Sequence, residues 1–275
     1  MKCINDYKLV TNIGRGSYGE VWKAINMNKK KYVAIKIEKK NTRNILKHET
    51  VILRHLQHLS NVVDVKYFGE SSTFNYLILE LLNVQVDTYF NNMIIHGSDK
   101  NNLIKKIGIQ IFNCLNNIHN EGIIHRDVKP ANFLMDDKNN IKIIDFGLSR
   151  RYIDKNGNHK VNIKKNKITG TLRFISKFIH EGNEPSRRDD LISMVYVIIY
   201  LLNGSLPWQC LTVSNRCEKE NVIYKIKNNY LNFQNLKINT TIPIKLTELL
   251  EYLENLSYNE TPNYDYILFL IKTLL

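Results

Sequence analysis

The chain has 275 residues, 43% of them hydrophobic, enough to bury the core of one large domain or two closely packed lobes and too many for a disordered chain. Its formal charge of +13 makes an acidic or phosphorylated protein partner plausible. No zinc-finger or RNP-like motif and no interleaved aromatic–basic patch is present, which argues against nucleic acid as the main target.

No apolar run reaches bilayer length, Met1-Lys2-Cys3-Ile4-Asn5-Asp6 lacks a secretory signal, and position 2 is not the glycine that myristoylation needs. Cys3, Cys114, Cys210 and Cys217 lack metal-ligand spacing. The expectation is a soluble intracellular monomer, cytoplasmic with a nuclear role left open, and with no membrane partner.

Period-two alternation predicts strands at Tyr7–Val10, Glu20–Ala24 and Tyr32–Ile37. Helical spacing takes over at residues 44–57, with Ile45, Leu46, Val51, Ile52, Leu53 and Leu56 apolar, and Val62–Phe68 and Tyr76–Leu82 read as further strands. From Val86 the pattern is mostly helical. Leu103–His119 sets Ile104, Ile107, Ile111, Leu115 and Ile118 on one face. Polar Tyr152–Lys167 reads as a loop, and Leu191–Leu202, apolar nearly all round, as a buried helix. Helices are expected near 218–230, 246–256 and 264–274. A small sheet with one helix followed by a helical remainder is an α+β chain.

Gly14-Arg15-Gly16-Ser17-Tyr18-Gly19-Glu20-Val21 fits G-x-G-x-x-G-x-V between two strands, where missing Cβ atoms let backbone amides approach phosphates. A hairpin turn is the plain alternative. A strand after the loop, where dinucleotide-binding chains have a helix, favours the phosphate-covering hairpin. Val33-Ala34-Ile35-Lys36 then puts a lysine on an apolar strand, where an unpartnered ammonium would be costly, and Glu49 on the next helix is its candidate partner.

His125-Arg126-Asp127 opens a loop ending at Asn132, and Asp145-Phe146-Gly147 follows thirteen residues later. Asp127 would orient a substrate hydroxyl or take its proton, Lys129 would offset charge on a transferring phosphoryl group, and Asn132 and Asp145 would supply hard oxygen ligands for Mg²⁺. His125 reads as a packed support for the loop.

With these residues in hand, the chain resembles the eukaryotic-type protein kinases over nearly its whole length. Asn132-Phe133-Leu134-Met135, Ser186-Arg187-Arg188-Asp189-Asp190-Leu191, Gly204-Ser205-Leu206-Pro207-Trp208-Gln209 and Pro262-Asn263-Tyr264-Asp265-Tyr266 are similar to the casein kinase 1 group. The resemblance implies one two-lobed kinase domain over 1–275, with lobes 1–82 and 83–275, using ATP and Mg²⁺ as a constitutively active Ser/Thr kinase. The C-terminal autoinhibitory extension of some members is expected to be missing beyond Leu275.

By the same resemblance, Lys129 favours Ser/Thr over Tyr acceptors, and substrates carry acidic or phosphorylated residues near the acceptor. Arg187, with Arg150 and Lys167, would form an anion pocket beside the substrate cleft, and Asp190 would anchor the catalytic loop. Leu79 would be the gatekeeper, Glu80-Leu81-Leu82 the adenine-binding hinge, and Ile13, Val21, Ala34, Leu134 and Ile144 the walls around the base. The chain departs from the family in having Ser176-Lys177-Phe178 where most kinases have Ala-Pro-Glu, and in keeping only Arg216 and Lys219 of the basic run after Trp208. An inert scaffold with the same fold and a nucleic-acid binder are the alternatives. The first normally lacks one of Lys36, Glu49, Asp127, Asn132 and Asp145, and the second would bind DNA in a salt-sensitive way without phosphotransfer.

Overall fold

A computed structural model describes residues 3–16, 19–40, 44–164, 168–209, 211–213, 215–229 and 243–274. Ser17, Tyr18 and Lys167, assigned above to nucleotide and anion binding, lie outside them. The chain divides into two compact units, residues 1–84 with 134–148, and residues 85–133 with 149–275.

In the first unit the alternating sequence becomes β1 (Cys3–Ile4), β2 (Tyr7–Gly16), β3 (Gly19–Asn26) and β4 (Tyr32–Lys39), then α1 (Ile45–His55), β5 (Val65–Glu70) and β6 (Phe74–Glu80). They form one antiparallel sheet in the order β1-β2-β3-β4-β6-β5. Register breaks between β2 and β3 at Leu9/Thr11 and Asn12/Gly14 curl it, as bulges do.

The two faces of the sheet separate by the period-two rule. Val33 and Ile35 of β4 join Ile4, Ala24, Tyr76 and Ile78 in one apolar cluster. Ala34, Lys36 and Glu38 point the other way, with Ala34 opposite Leu79 and Lys36 between Val21 and Leu77. Gly19 has φ +146°, and a Cβ there would stand 2.0 Å from the Ile37 carbonyl oxygen, so the β2–β3 hairpin demands glycine at that position.

The short β7 (Val84–Gln85) ends the first stretch, and β9 (Phe133–Met135) and β10 (Ile141–Ile143) bring the chain back to this unit. Ile143 donates from its N–H to Asn61 O at 2.9 Å and accepts from Val63 N at 3.2 Å. That pairing occupies Val62 and Val63, so the strand expected from Val62 starts at Val65. It also ties residues 134–148 to the first unit.

The second unit holds α2 (Val86–Ile95), α3 (Lys100–Asn120), β8 (Ile123–Ile124), β11 (Arg150–Arg151), α4 (Lys177–His180), α5 (Arg187–Asn203), α6 (Arg216–Asn228), α7 (Ile244–Asn255) and α8 (Tyr264–Lys272). Asp99 caps α3 by accepting from the N–H groups of Asn101 and Asn102. The spacing on α3 did select its core face: Ile104, Ile107, Ile111, Leu115 and Ile118 are all buried. Residues 191–199 of α5 are buried without interruption, as an all-apolar helix requires. A Ser186–Asp189 capping box starts α5, and Gly204, at φ 73°, ends it. No described helix is long and apolar enough to cross a membrane.

At the end of α4, burial, reinforced by the neighbouring Lys227, pushes His180 down from 6.5 to about 3. Its imidazole stays neutral in the folded chain but takes up a proton in the unfolded chain below about 6.5. Stability from this residue is therefore complete above pH 6.5 and drains away as the pH falls toward 3. Urea melts at pH 7.5 and 4.5 should show a larger acid-induced loss in the wild type than in His180→Asn; equal losses would refute this.

Candidate functional site

The first unit builds a charged cluster around Lys36. Its ammonium donates to Glu49 Oε1 at 2.6 Å and to Asp145 Oδ1 at 3.0 Å. Burial alone would lower its pKa, but the two carboxylates outweigh burial and raise it, so the side chain stays charged. Glu49 is buried and also accepts from Phe146 N at 3.2 Å, which ties α1 to the Asp145–Gly147 turn.

Glu38, absent from the sequence reading, sets the position of α1. Asn44 offers the helix no side-chain cap, and the buried Glu38 carboxylate instead accepts from Ile45 N at 3.0 Å and Leu46 N at 3.2 Å. A carboxylate preceding the helix by seven residues lies outside the usual capping pattern, so spacing does not reveal it.

The residues assigned to adenine fall on this unit. Ala34 and Leu79 are cross-strand partners, Val21 lies beside Lys36, and Leu134 and Ile144 are half-buried; Ile13 is 51% exposed. Glu80 is held on both its N–H and its side chain. Its N–H is bonded to Asp64 O, and its carboxylate accepts from Asp64 N at 2.7 Å and Lys142 Nζ at 2.5 Å. Leu82 is buried and makes no main-chain hydrogen bond to the described residues.

A Cβ at Gly14 would meet only ordinary contacts with Val21, and one at Gly16 nothing within 4 Å. Packing does not demand glycine at either place; a group lying against the main chain would. The cluster thus fits a nucleoside triphosphate.

The second unit builds a polar cluster around Asp127, held by Asp190 on α5. Asp190 accepts from His125 N at 2.6 Å and Arg126 N at 2.9 Å, while His119 lies 3.2 Å from it through Nε2 and 2.8 Å from Tyr264 Oη through Nδ1. Burial would raise the Asp190 pKa; the hydrogen bonds from His119 and from the His125 main chain overcome that and hold it low. Arg126 sits at φ 70° under this grip, and Asp145 of the first unit at φ 66°. Strained non-glycine backbone of this kind gathers at functional sites.

Beyond Arg126, Asp127 is 7% exposed. Its Oδ2 accepts from Lys129 Nζ at 2.6 Å and Asn132 Nδ2 at 3.3 Å, and its Oδ1 from Thr171 Oγ1 at 2.7 Å. Lys129 also reaches Thr171 Oγ1 at 3.3 Å. Asn132 gives its amide nitrogen to Asp127 O as well, at 2.8 Å, so Oδ1 is left as the free ligand atom. Among the described residues no cluster of three or more His, Cys, Asp or Glu could hold a metal alone. Single hard oxygens such as Asn132 Oδ1 and the Asp145 carboxylate suit Mg²⁺ that brings phosphate oxygens with it.

The substrate side departs from its assignment at Arg187. This residue turns inward, 8% exposed, because the turn before α8 presents acceptors: Nη2 donates to Asn259 O, Glu260 O and Thr261 Oγ1, each at 3.2 Å, and the guanidinium stacks 4.7 Å from the Tyr152 ring centroid. Arg150 Nη1 lies 2.8 Å from Glu184, which also pairs with Arg126 at 3.3 Å. The unusual Ser176-Lys177-Phe178 has its own anchors. Ser176 donates to Asp189, Lys177 pairs with Glu254 on α7 at 2.6 Å, and Arg188 stacks on Phe178 at 3.6 Å.

Replacing Asp190 with Ala would orphan two buried N–H donors, at roughly 1–3 kcal/mol each. Urea denaturation should register that loss, and phosphoryl transfer should fall with it because Arg126 is no longer held. Unchanged stability would show that the carboxylate does not hold the loop.

A family model described as the protein kinase domain matches residues 7–267. The curled sheet of the first unit and the helices of the second are those of that domain, which implies phosphotransferase activity on protein substrates with ATP, usually with Mg²⁺. The chain belongs to the protein kinase family.

Proposed function

We propose that this chain is a constitutively active Ser/Thr kinase of the casein kinase 1 type, acting inside the cell on proteins with acidic or phosphorylated residues near the acceptor. The observation that carries the reading is the Asp127 carboxylate held between Lys129 and Thr171, at 2.6 and 2.7 Å. Bound Mg·ATP supplies an activated γ-phosphoryl group whose charge the cation partly offsets.

Within that reading Asp127 orients the acceptor hydroxyl and receives its proton. Lys129 remains beside Asp127 as charge builds on the phosphoryl oxygens, where fixed electrostatics count most. Lys36, kept charged and aimed by Glu49, would hold phosphate oxygens, with the main chain at Gly14 and Gly16 open to them. Asn132 and Asp145 would supply oxygen ligands to the metal. Constitutive activity is supported by the Lys36–Glu49 pair, which is in place at 2.6 Å. Exposed Arg151, Lys164 and Arg173 between residues 149 and 176 support the acidic preference.

The purified chain, given Mg²⁺, ATP and an acidic serine peptide without an upstream kinase, should incorporate phosphate on serine. Asp127→Asn should reduce kcat by about 10²–10⁴-fold, with Lys36→Met similarly impaired. Equal incorporation by wild type and Asp127→Asn would overturn the mechanism; phosphotyrosine as the product, or activity only after another kinase acts, would overturn the specificity or the constitutive state.

A further inference from the structure

Directly after Thr171 the chain runs through an irregular turn, with Thr171 O accepting from Phe174 N at 2.8 Å and Ile175 N at 3.2 Å. Among the described residues no strand or helix supplies donors to the next carbonyls, and buried carbonyls need them. Side chains from behind do so. Lys227 on α6 donates from Nζ to Leu172 O at 2.8 Å and Ile175 O at 2.6 Å, and Trp208 Nε1 donates to Arg173 O at 2.7 Å.

Lys227 is 1% exposed. Its ammonium lies 5.0 Å from the Trp208 ring centroid and 5.4 Å from that of Tyr196, with His180 Nε2 at 3.5 Å. Among the described residues no carboxylate pairs with it, and burial drives its pKa well below the usual lysine value. An unpaired buried cation is expensive, and a methionine would fill the same volume at lower cost. Packing therefore does not account for a lysine here, whereas the two carbonyls do.

We infer that Lys227, with Trp208 beside it, is a positioning residue for phosphoryl transfer: it fixes the main chain of residues 171–175 so that the Thr171 hydroxyl stays on Asp127 and Lys129 and the acceptor peptide meets a preset surface. The inference rests on the kinase reading above and adds a residue that touches neither nucleotide nor acceptor. Errors of about 1 Å in such a segment are enough to cost about a hundredfold in rate.

Full-length wild type, Lys227→Met and Trp208→Phe would be compared in steady-state peptide phosphorylation, varying peptide and ATP separately. Lys227→Met should lose between about tenfold and hundredfold in kcat/KM for the peptide, with KM for ATP held within about twofold, and Trp208→Phe should show the same split to a smaller degree. A merely structural role would lower activity in proportion to the folded fraction and leave both KM values alone; that result, or an unchanged peptide kcat/KM, overturns the inference. Should Lys227→Met not fold, Trp208→Phe decides by the same criterion. A wild-type chain that phosphorylates no peptide would instead overturn the kinase reading itself.

Discussion

A carboxylate at the start of the most buried helix organises the second unit. Asp190 follows directly on the α5 capping box, and its two oxygens accept the consecutive N–H groups of His125 and Arg126. Accepting both obliges the chain to turn there, with Arg126 at φ 70°. Asp127 is the next residue, so its direction is inherited from a helix 63 positions away in sequence and not from the loop's own propensity. A loop free to choose its dihedrals would not hold a carboxylate within hydrogen-bond reach of both Lys129 and Thr171.

The first unit solves the corresponding problem for Lys36 by a relay of side chains on one sheet face. Ala34, Lys36 and Glu38 alternate along β4 toward α1. Glu38 seats the N-terminus of α1 through Ile45 and Leu46, which presents Glu49 one face-turn further along the helix to Lys36 and to Phe146 N. Asp145, at φ 66°, then shares the same ammonium. Helix, strand and turn thus meet in one bonded group, and the lysine keeps its charge although it is largely buried.

Much of this was legible in sequence because the residues of these two clusters sit in short, spaced strings. Residues 125–132 and 145–147, the β2–β3 hairpin and Lys36 were placed correctly on their elements, and the apolar spacing of α3 found its core. What escaped notice depends on long-range pairing. Glu38 caps a helix without capping spacing, Thr171 reaches Asp127 across 44 positions, and Lys227 looks like any other lysine in a Lys-rich helix. Val62–Val63 carries strand residues but is drawn out of β5 by Ile143. Arg187 shows the converse: a motif gave it an address on the surface, and the carbonyls before α8 gave it a partner inside.

The buried charges share one logic that a formal charge of +13 hides. Among the described residues Glu38, Glu49, Asp127, Glu184, Asp189 and Asp190 are buried, against Arg187, Arg188 and Lys227, so the cationic excess is carried outside. Few of these inner charges neutralise each other. Glu38, Asp189 and Asp190 accept main-chain N–H groups at helix or loop starts, whereas Arg187, Arg188 and Lys227 donate to main-chain carbonyls in irregular segments. Charged groups make stronger hydrogen bonds than neutral ones, and a fold whose working parts are loops has many main-chain groups that helices and strands leave over. The inner ions of this kinase serve as the secondary structure of its loops, which is why a cation can be buried beside Thr171 with no anion among the described residues to meet it.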